Sequence, residues 1–196
     1  RPLDQKQLAS FDQEVTRLSL LVEDLYQLSL SDIGGLSYHF SSVNLSQVIV
    51  QQSESLAHIF DTKGLTFTFT CPPNITINAD HQRLKQLMLN LLVNACEYTD
   101  APGTVELVVS DQPSFIVIIV QDSAPSIAKE NAAALFEPLF REDASRRRRT
   151  QGAGLGLSIS KQIIEAHGGK ISASVSSLGG VKITAELPKY FTTDNN

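Results

Sequence analysis

The chain has 196 residues, 42% of them apolar and 19% charged, with 11 glycines, 8 prolines and no tryptophan. This is globular composition with enough length to bury a core, and it excludes a disordered, collagen-like or disulfide-stapled protein. Sixteen Lys and Arg against 21 Asp and Glu give a net charge of -5, the wrong sign for a general nucleic-acid footprint, so no nucleic-acid partner is expected.

Residues 4–31 carry Leu8, Phe11, Val15, Leu18, Val22 and Leu25 at alternating steps of three and four, the heptad seam of a helix that packs on another helix. Asp32-Ile33-Gly34-Gly35 ends it, glycine being favoured just past a helix terminus. A lone helix with an open seam is marginal in water. A partner helix is therefore expected, from its own domain or, as the better reading, from a second copy or a segment outside this chain. The first residue is not Met, no signal peptide is present, and no apolar run exceeds residues 115–120, well below the roughly 20 residues a membrane helix needs. These features predict a piece cut from a longer protein, without an anchor of its own. Cys71 and Cys96 have no metal or disulfide spacing and point to a reducing compartment.

After Gly35 the period changes. Residues 40–45 read as a short strand, 46–62 as an amphipathic helix, and the alternating 65–70 as a strand closed by Pro72 and Pro73. Asp80 is the predicted N-cap of a helix running to about Tyr98, with Leu84, Leu87, Met88, Leu91, Leu92 and Ala95 on its apolar face. Strands are predicted at 104–110 and 114–121, a short helix near 127–135, a basic stretch over 141–151, a helix at 155–166, and closing strands at 170–176 and 181–187. Helices and strands mix without strict alternation. That predicts an α+β fold, a two-layer sandwich with helices on one face of a mixed sheet.

Three groups of residues carry chemistry. Asn90 and Asn94, four apart, share one helix face. Set among Leu and Val, their amides need polar partners, either within the protein or on a hard cation such as Mg2+, which keeps waters and phosphate oxygens in its shell. Gln151-Gly152-Ala153-Gly154-Leu155-Gly156-Leu157 opens a helix, where backbone N–H groups favour phosphate. It lacks the Gly-Lys-Ser/Thr ending of a Walker loop, and a basic stretch rather than a strand precedes it. Asp122 closes the most apolar strand. It is either an acceptor for an exocyclic amine such as that of adenine or a turn-forming Asp ahead of Pro125.

In this order, with Phe136 and Phe140 between Asp122 and the glycine loop, these motifs resemble the ATP-binding domain of sensor histidine kinases. Residues 90–99 are similar to the N box, 122–127 to a divergent G1 box, Phe136-Glu-Pro-Leu-Phe140-Arg141 to the F box, 152–157 to the G2 box, and Leu178-Gly179-Gly180 to the loop before the last strand. The resemblance implies the Bergerat ATP-binding fold over residues 36–190. It implies the second helix of a dimerisation hairpin at 1–35 and a tail at 191–196. It further implies Mg2+ on Asn94 with Asn90, and ATP with its adenine amine on Asp122. Tyr98, Ile127, Phe140, Leu155, Leu157 and Thr184 would line the nucleotide, and Gly152, Gly154 and Gly156 would let the loop wrap the triphosphate. Arg141 would act at the phosphates, within a lid over 141–151 whose Arg146, Arg147, Arg148 and Arg149 meet the γ-phosphate or form a solvated face. The implied partners are a response regulator and a second copy through the N-terminal helix. Membrane contact would come only through upstream segments, as befits the cytoplasmic domain of a bacterial inner-membrane protein.

This sequence departs from the family pattern at several positions. Ala124 and Ser126 replace the G1 glycines, which puts Cβ atoms under the adenine and implies weaker nucleotide binding. Glu97 stands where the family commonly has a cation, and it repels a triphosphate unless it turns away or pairs with a lid arginine. The acceptor motif His-Glu-Leu-Arg-Thr-Pro is missing, and none of His39, His58, His81 and His167 has that context. Asn90 stands where related ATPases carry a water-activating glutamate, and an amide is no general base, so hydrolysis is expected to be slow. The leading reading is the catalytic part of a sensor histidine kinase. Its γ-phosphoryl goes to a histidine on a helix absent from this chain and then to a response-regulator aspartate. The alternative is a degenerate nucleotide-binding module for dimerisation or regulator docking; a serine kinase of the anti-sigma type is disfavoured by the heptad helix in front.

Overall fold

The computed structural model describes residues 37–140 and 154–190, together with Val22. The chain divides into units Arg1–Ser37 and Tyr38–Asn196, and every element below belongs to the second. The heptad helix, Arg141, the basic stretch, Gly152 and the tail fall outside the described residues.

In chain order the elements are β1 (Ser41–Asn44), α1 (Leu45–Lys63), β2 (Leu65–Thr70), β3 (Thr76–Ala79), α2 (His81–Tyr98), β4 (Gly103–Asp111), β5 (Phe115–Asp122), 3-10 turns at Lys129–Asn131 and Ala134–Phe136, α3 (Gly156–Ala166), β6 (Lys170–Val175) and β7 (Val181–Pro188). Five strands form a mixed sheet in the order β2-β4-β5-β7-β6, with β2 parallel to β4 and the other pairs antiparallel. Strand alternation puts Val105, Leu107, Ile116, Ile118, Val120, Ile183, Ala185 and Leu187 on one face, all buried. Leu84, Leu87, Met88, Leu91 and Leu92 of α2 and Ile159, Ile163 and Ile164 of α3 are buried with them, so among the described residues the helices cover that face alone, the two-layer α+β sandwich the sequence predicts. Phe60 at the end of α1 is fully buried and stacks on Phe67 of β2 at 4.4 Å.

The ends of α2 and α3 are fixed by one polar cluster. The Asp80 carboxylate accepts the N–H groups of Gln82 (2.9 Å) and Arg83 (3.1 Å) as an N-cap and that of His39 at 2.9 Å. The Asp80 N–H donates to Nε2 of buried His167 at 3.0 Å. Nδ1 of His167 must then carry the ring proton, which it donates to the Ile163 carbonyl at 2.7 Å. The start of α2 is thereby tied to the end of α3, and the two helices run antiparallel with the middle of α2 beside the start of α3.

The expected helix near 127–135 is instead two separate 3-10 turns, neither with a side-chain cap. So short a segment without caps does not nucleate an α-helix. The strand β3 was not expected. It has four residues and pairs only with β1 in a two-stranded ladder, so its identity comes from its partner rather than from its own period.

Candidate functional site

Asp122, the last residue of β5, faces the helix-covered side of the sheet and is 7% exposed. Its Oδ1 accepts the Val181 N–H at 2.9 Å, and its main-chain carbonyl accepts the Gly180 N–H at 3.0 Å. Among the described residues nothing donates to Oδ2, yet that oxygen is not sealed from solvent. Burial pushes the Asp122 carboxyl up to about 6, with the Val181 N–H pulling the other way. The result is a half-sealed acceptor at a strand end, with one oxygen pinned and one open.

The loop after Asp122 is clamped on two sides. The Ser123 N–H donates to the Thr104 carbonyl at 3.0 Å, and the Thr104 N–H donates to Ser123 Oγ at 2.9 Å. The Asp100 N–H donates to the Ala124 carbonyl at 2.9 Å. Among the described residues only Asn74 and Leu139 are non-glycines with positive φ. Ala124 and Ser126 therefore build this loop without left-handed backbone. Left-handed backbone occurs instead across the hairpin, where Gly179 has φ 103.

Along α2, Asn90, Asn94 and Tyr98 lie on one face, each half-buried. Asn90 Nδ2 donates to the Gly156 carbonyl at 3.1 Å, the contact that the antiparallel helix pair sets up. Among the described residues, Asn90 Oδ1 and the whole Asn94 amide have no hydrogen bond, so these polar groups face away from the core that surrounds them. Among the described residues the N-terminus of α3 has no side-chain cap and no acid in its first turn, so its N–H groups keep their anion-binding capacity. Gly154 (φ 75) packs on Leu139, and its carbonyl accepts the Leu139 N–H at 3.0 Å. From Asn90 to Tyr98, α2 rises ~12 Å, linking the start of α3 to the Asp100–Ala124 junction beside Asp122.

The structure thus sets Asn90, Asn94 and Tyr98 along one face of α2, with Gly156 at the Asn90 end and the Asp122 loop joined just past the Tyr98 end, while Gly154 packs against Leu139 and Phe140. Ile127, Leu155 and Leu157 are buried and Phe140 is half-buried. Thr184 is a correction. It pairs with Ile119 and Ser172 on the sheet face away from the helices, whereas Asp122 shares the helix face; the strand period of two separates them. At that edge of β7 the group that reaches Asp122 is the Val181 N–H, which the sequence reading missed and which only the Gly179-Gly180 doublet signalled. Lys63 was missed as well: its Nζ donates to the carbonyls of Cys96 and of Glu97, the latter at 2.8 Å, adding a cation at the end of α2 next to Glu97. No sequence signal marks it, 34 residues away.

No group of three or more His, Cys, Asp or Glu among the described residues could hold a metal ion. Among those residues no helix is long and apolar enough to cross a membrane. Residues 79–190 match the family described as histidine kinase-, DNA gyrase B-, and HSP90-like ATPase, a span holding Asn90, Asn94, Tyr98, Asp122, Gly154 and Gly156. The chain belongs to this ATPase family. Within it, the chain is 40% identical over 181 residues to the signal transduction histidine-protein kinase BaeS of Escherichia coli (strain K12), covering 92% of this chain and 39% of BaeS. The catalytic domain of histidine kinase ThkA is 32% identical with a TM-score of 0.68, over 77% of this chain and 96% of that one. Histidine kinase ThkA in complex with response regulator protein TrrA is 26% identical with a TM-score of 0.74, over 96% and 53%. The described unit is a histidine kinase ATPase domain. The chain spans less than two fifths of the length of the curated relatives it matches.

Proposed function

We propose that this chain is the catalytic part of a two-component sensor histidine kinase, which binds Mg-ATP and presents the γ-phosphoryl to a histidine outside the described fold. One observation carries the reading. A single face of α2 holds open amide oxygens beside an uncapped helix N-terminus, and it ends at a buried carboxylate with one oxygen open. Such a set fits a ligand that is polyanionic at one end and an amine donor at the other. Asn94 and Asn90 would hold Mg2+ by their amide oxygens, and the N–H groups opening α3 would take phosphate. Bound Mg2+ supplies neutralisation of phosphate charge. Asp122 accepts from the adenine amine through Oδ2, and Tyr98 lies against the purine. Asn90, an amide already donating to Gly156, abstracts no proton from water. The residues therefore bind, orient and withhold the phosphoryl from hydrolysis, and rate comes from positioning.

The acceptor histidine would be delivered by a helix paired with residues 1–35, in a dimer of the parent protein, and the phosphoryl would pass to an aspartate of a response regulator. ThkA in complex with TrrA supports that partner class. The parent would be an inner-membrane protein with this domain in the cytoplasm.

Calorimetry with ATP, with and without Mg2+, and labelled ATP with and without an added acceptor-histidine helix test the reading. The expected result is Mg-dependent binding, no label on this chain alone and label on the added histidine. Absence of Mg-dependent heat would favour the docking-module alternative, and label on the chain alone would refute the assigned acceptor.

A further inference from the structure

The turn between β6 and β7 is pressed against Asp122 more tightly than any side chain allows. A Cβ at Gly180 would fall 1.9 Å from Asp122 Oδ1, 2.7 Å from the Asp122 carbonyl oxygen and 2.8 Å from the Ala124 nitrogen. Two of these are backbone, and the third is the end of the Asp122 side chain, the carboxylate oxygen that the Val181 N–H pins. A Cβ at Gly179 would fall 2.8 Å from the Ser123 carbonyl oxygen, and the φ of 103 there already favours glycine.

Hydrogen bonds close this contact from both sides. The Gly180 N–H donates to the Asp122 carbonyl at 3.0 Å, and the Gly180 carbonyl accepts the Ser176 N–H at 2.9 Å. The Ser126 hydroxyl, on the far side of the loop, donates to the same Gly180 carbonyl at 3.3 Å. Ser176 Oγ accepts the Leu178 N–H at 3.0 Å and so fixes the turn itself.

We propose that Gly180 is a positioning residue for purine recognition: by leaving the space of its side chain to the Asp122 carboxylate, and held there by the Ser126 hydroxyl, it sets the acceptor that distinguishes adenine from guanine nucleotides. The inference rests on the proposed ATP-binding function. The acceptor suits the 6-amine of adenine and is repelled by the 6-carbonyl of guanine, so displacing it changes base selectivity and leaves phosphate binding alone.

The test uses the whole chain with Mg2+ and three probes, ATP, GTP and inorganic tripolyphosphate, measured by calorimetry. Gly180→Ala is expected to weaken ATP at least tenfold, to the level of Asp122→Asn, with GTP and tripolyphosphate unchanged. Ser126→Ala removes one exposed hydroxyl and keeps the fold testable if Gly180→Ala does not fold. It is expected to weaken ATP about threefold over GTP, with Ser126→Thr restoring the wild-type ratio. Wild-type ATP affinity in folded Gly180→Ala, equal losses for all three probes, or an unchanged ratio in Ser126→Ala would each overturn the inference while the kinase reading stands. A wild-type chain inert to ATP would instead sink the kinase reading and this inference with it.

Discussion

At Asp122, folding stability and the proposed adenine contact pull in opposite directions. A carboxyl held at about 6, against 3.8 ordinarily, means that the folded chain binds the proton more tightly than the unfolded one. The contribution of this one group to stability is therefore greatest in acid, falls as pH rises between those values, and at neutral pH is lower by up to roughly 3 kcal/mol. Asp122→Asn keeps an acceptor for the Val181 N–H and removes the buried charge. Its melting temperature should exceed wild type by several degrees near pH ~7.5 and converge with it toward pH ~4, while ATP binding weakens ten- to a hundredfold, on the order of one charge-assisted hydrogen bond. A variant less stable than wild type at neutral pH would contradict this. Ser53 offers a simpler case: it is fully buried in α1, and its hydroxyl has no partner. Ser53→Ala removes the unsatisfied oxygen and gains helix propensity, so denaturant titration should show about 1 kcal/mol of added stability.

At the scale of elements, the site depends on how α2 and α3 are set against each other. Asp80 caps α2 and, through His167, holds the end of α3, which brings Asn90 to Gly156 ten residues along. Asp80→Ala should cost about 1–2 kcal/mol for the cap alone, and it should weaken nucleotide binding although Asp80 lies at the opposite end of α2 from Asp122. The contact between Leu139 and Gly154 at the start of α3 is strained. Leu139 sits at φ 65 with its side chain 63% exposed, so it stores left-handed strain and loses little packing if shortened. Leu139→Gly should relieve that strain, for about 0.5–1 kcal/mol of stability net of backbone entropy, whereas Gly154→Ala at φ 75 should destabilise.

At the scale of the whole molecule, every described element and every described site residue lies within Tyr38–Asn196. Residues 37–190 alone should unfold cooperatively in a thermal scan and bind Mg-ATP within about threefold of the whole chain; a tenfold loss would mean that the N-terminal unit completes the site. The covered sheet face explains the asymmetry of the unit. Helices seal one side of the five strands, and the other carries Thr184, Glu106 and Lys182, half-buried.

Periodicity and capping chemistry were enough to read α1, α2, α3 and the long strands, because each buries a whole face and so repeats its signal along the sequence. The three motif groups were legible for the same local reason: asparagines four apart, a strand-end carboxylate and a glycine run state their chemistry within a few residues. The pairing of β3, the breaking of 127–135 into two turns and the exclusion of Thr184 were not legible, since each depends on a neighbour distant in sequence or on which sheet face a residue takes. Nor did the sequence foretell that Ala124 and Ser126 need no left-handed backbone while Gly180 must lack a Cβ. Sequence determined which groups were available; tertiary packing decided which of them meet, because a side chain's neighbours are fixed by register and burial rather than by spacing along the chain.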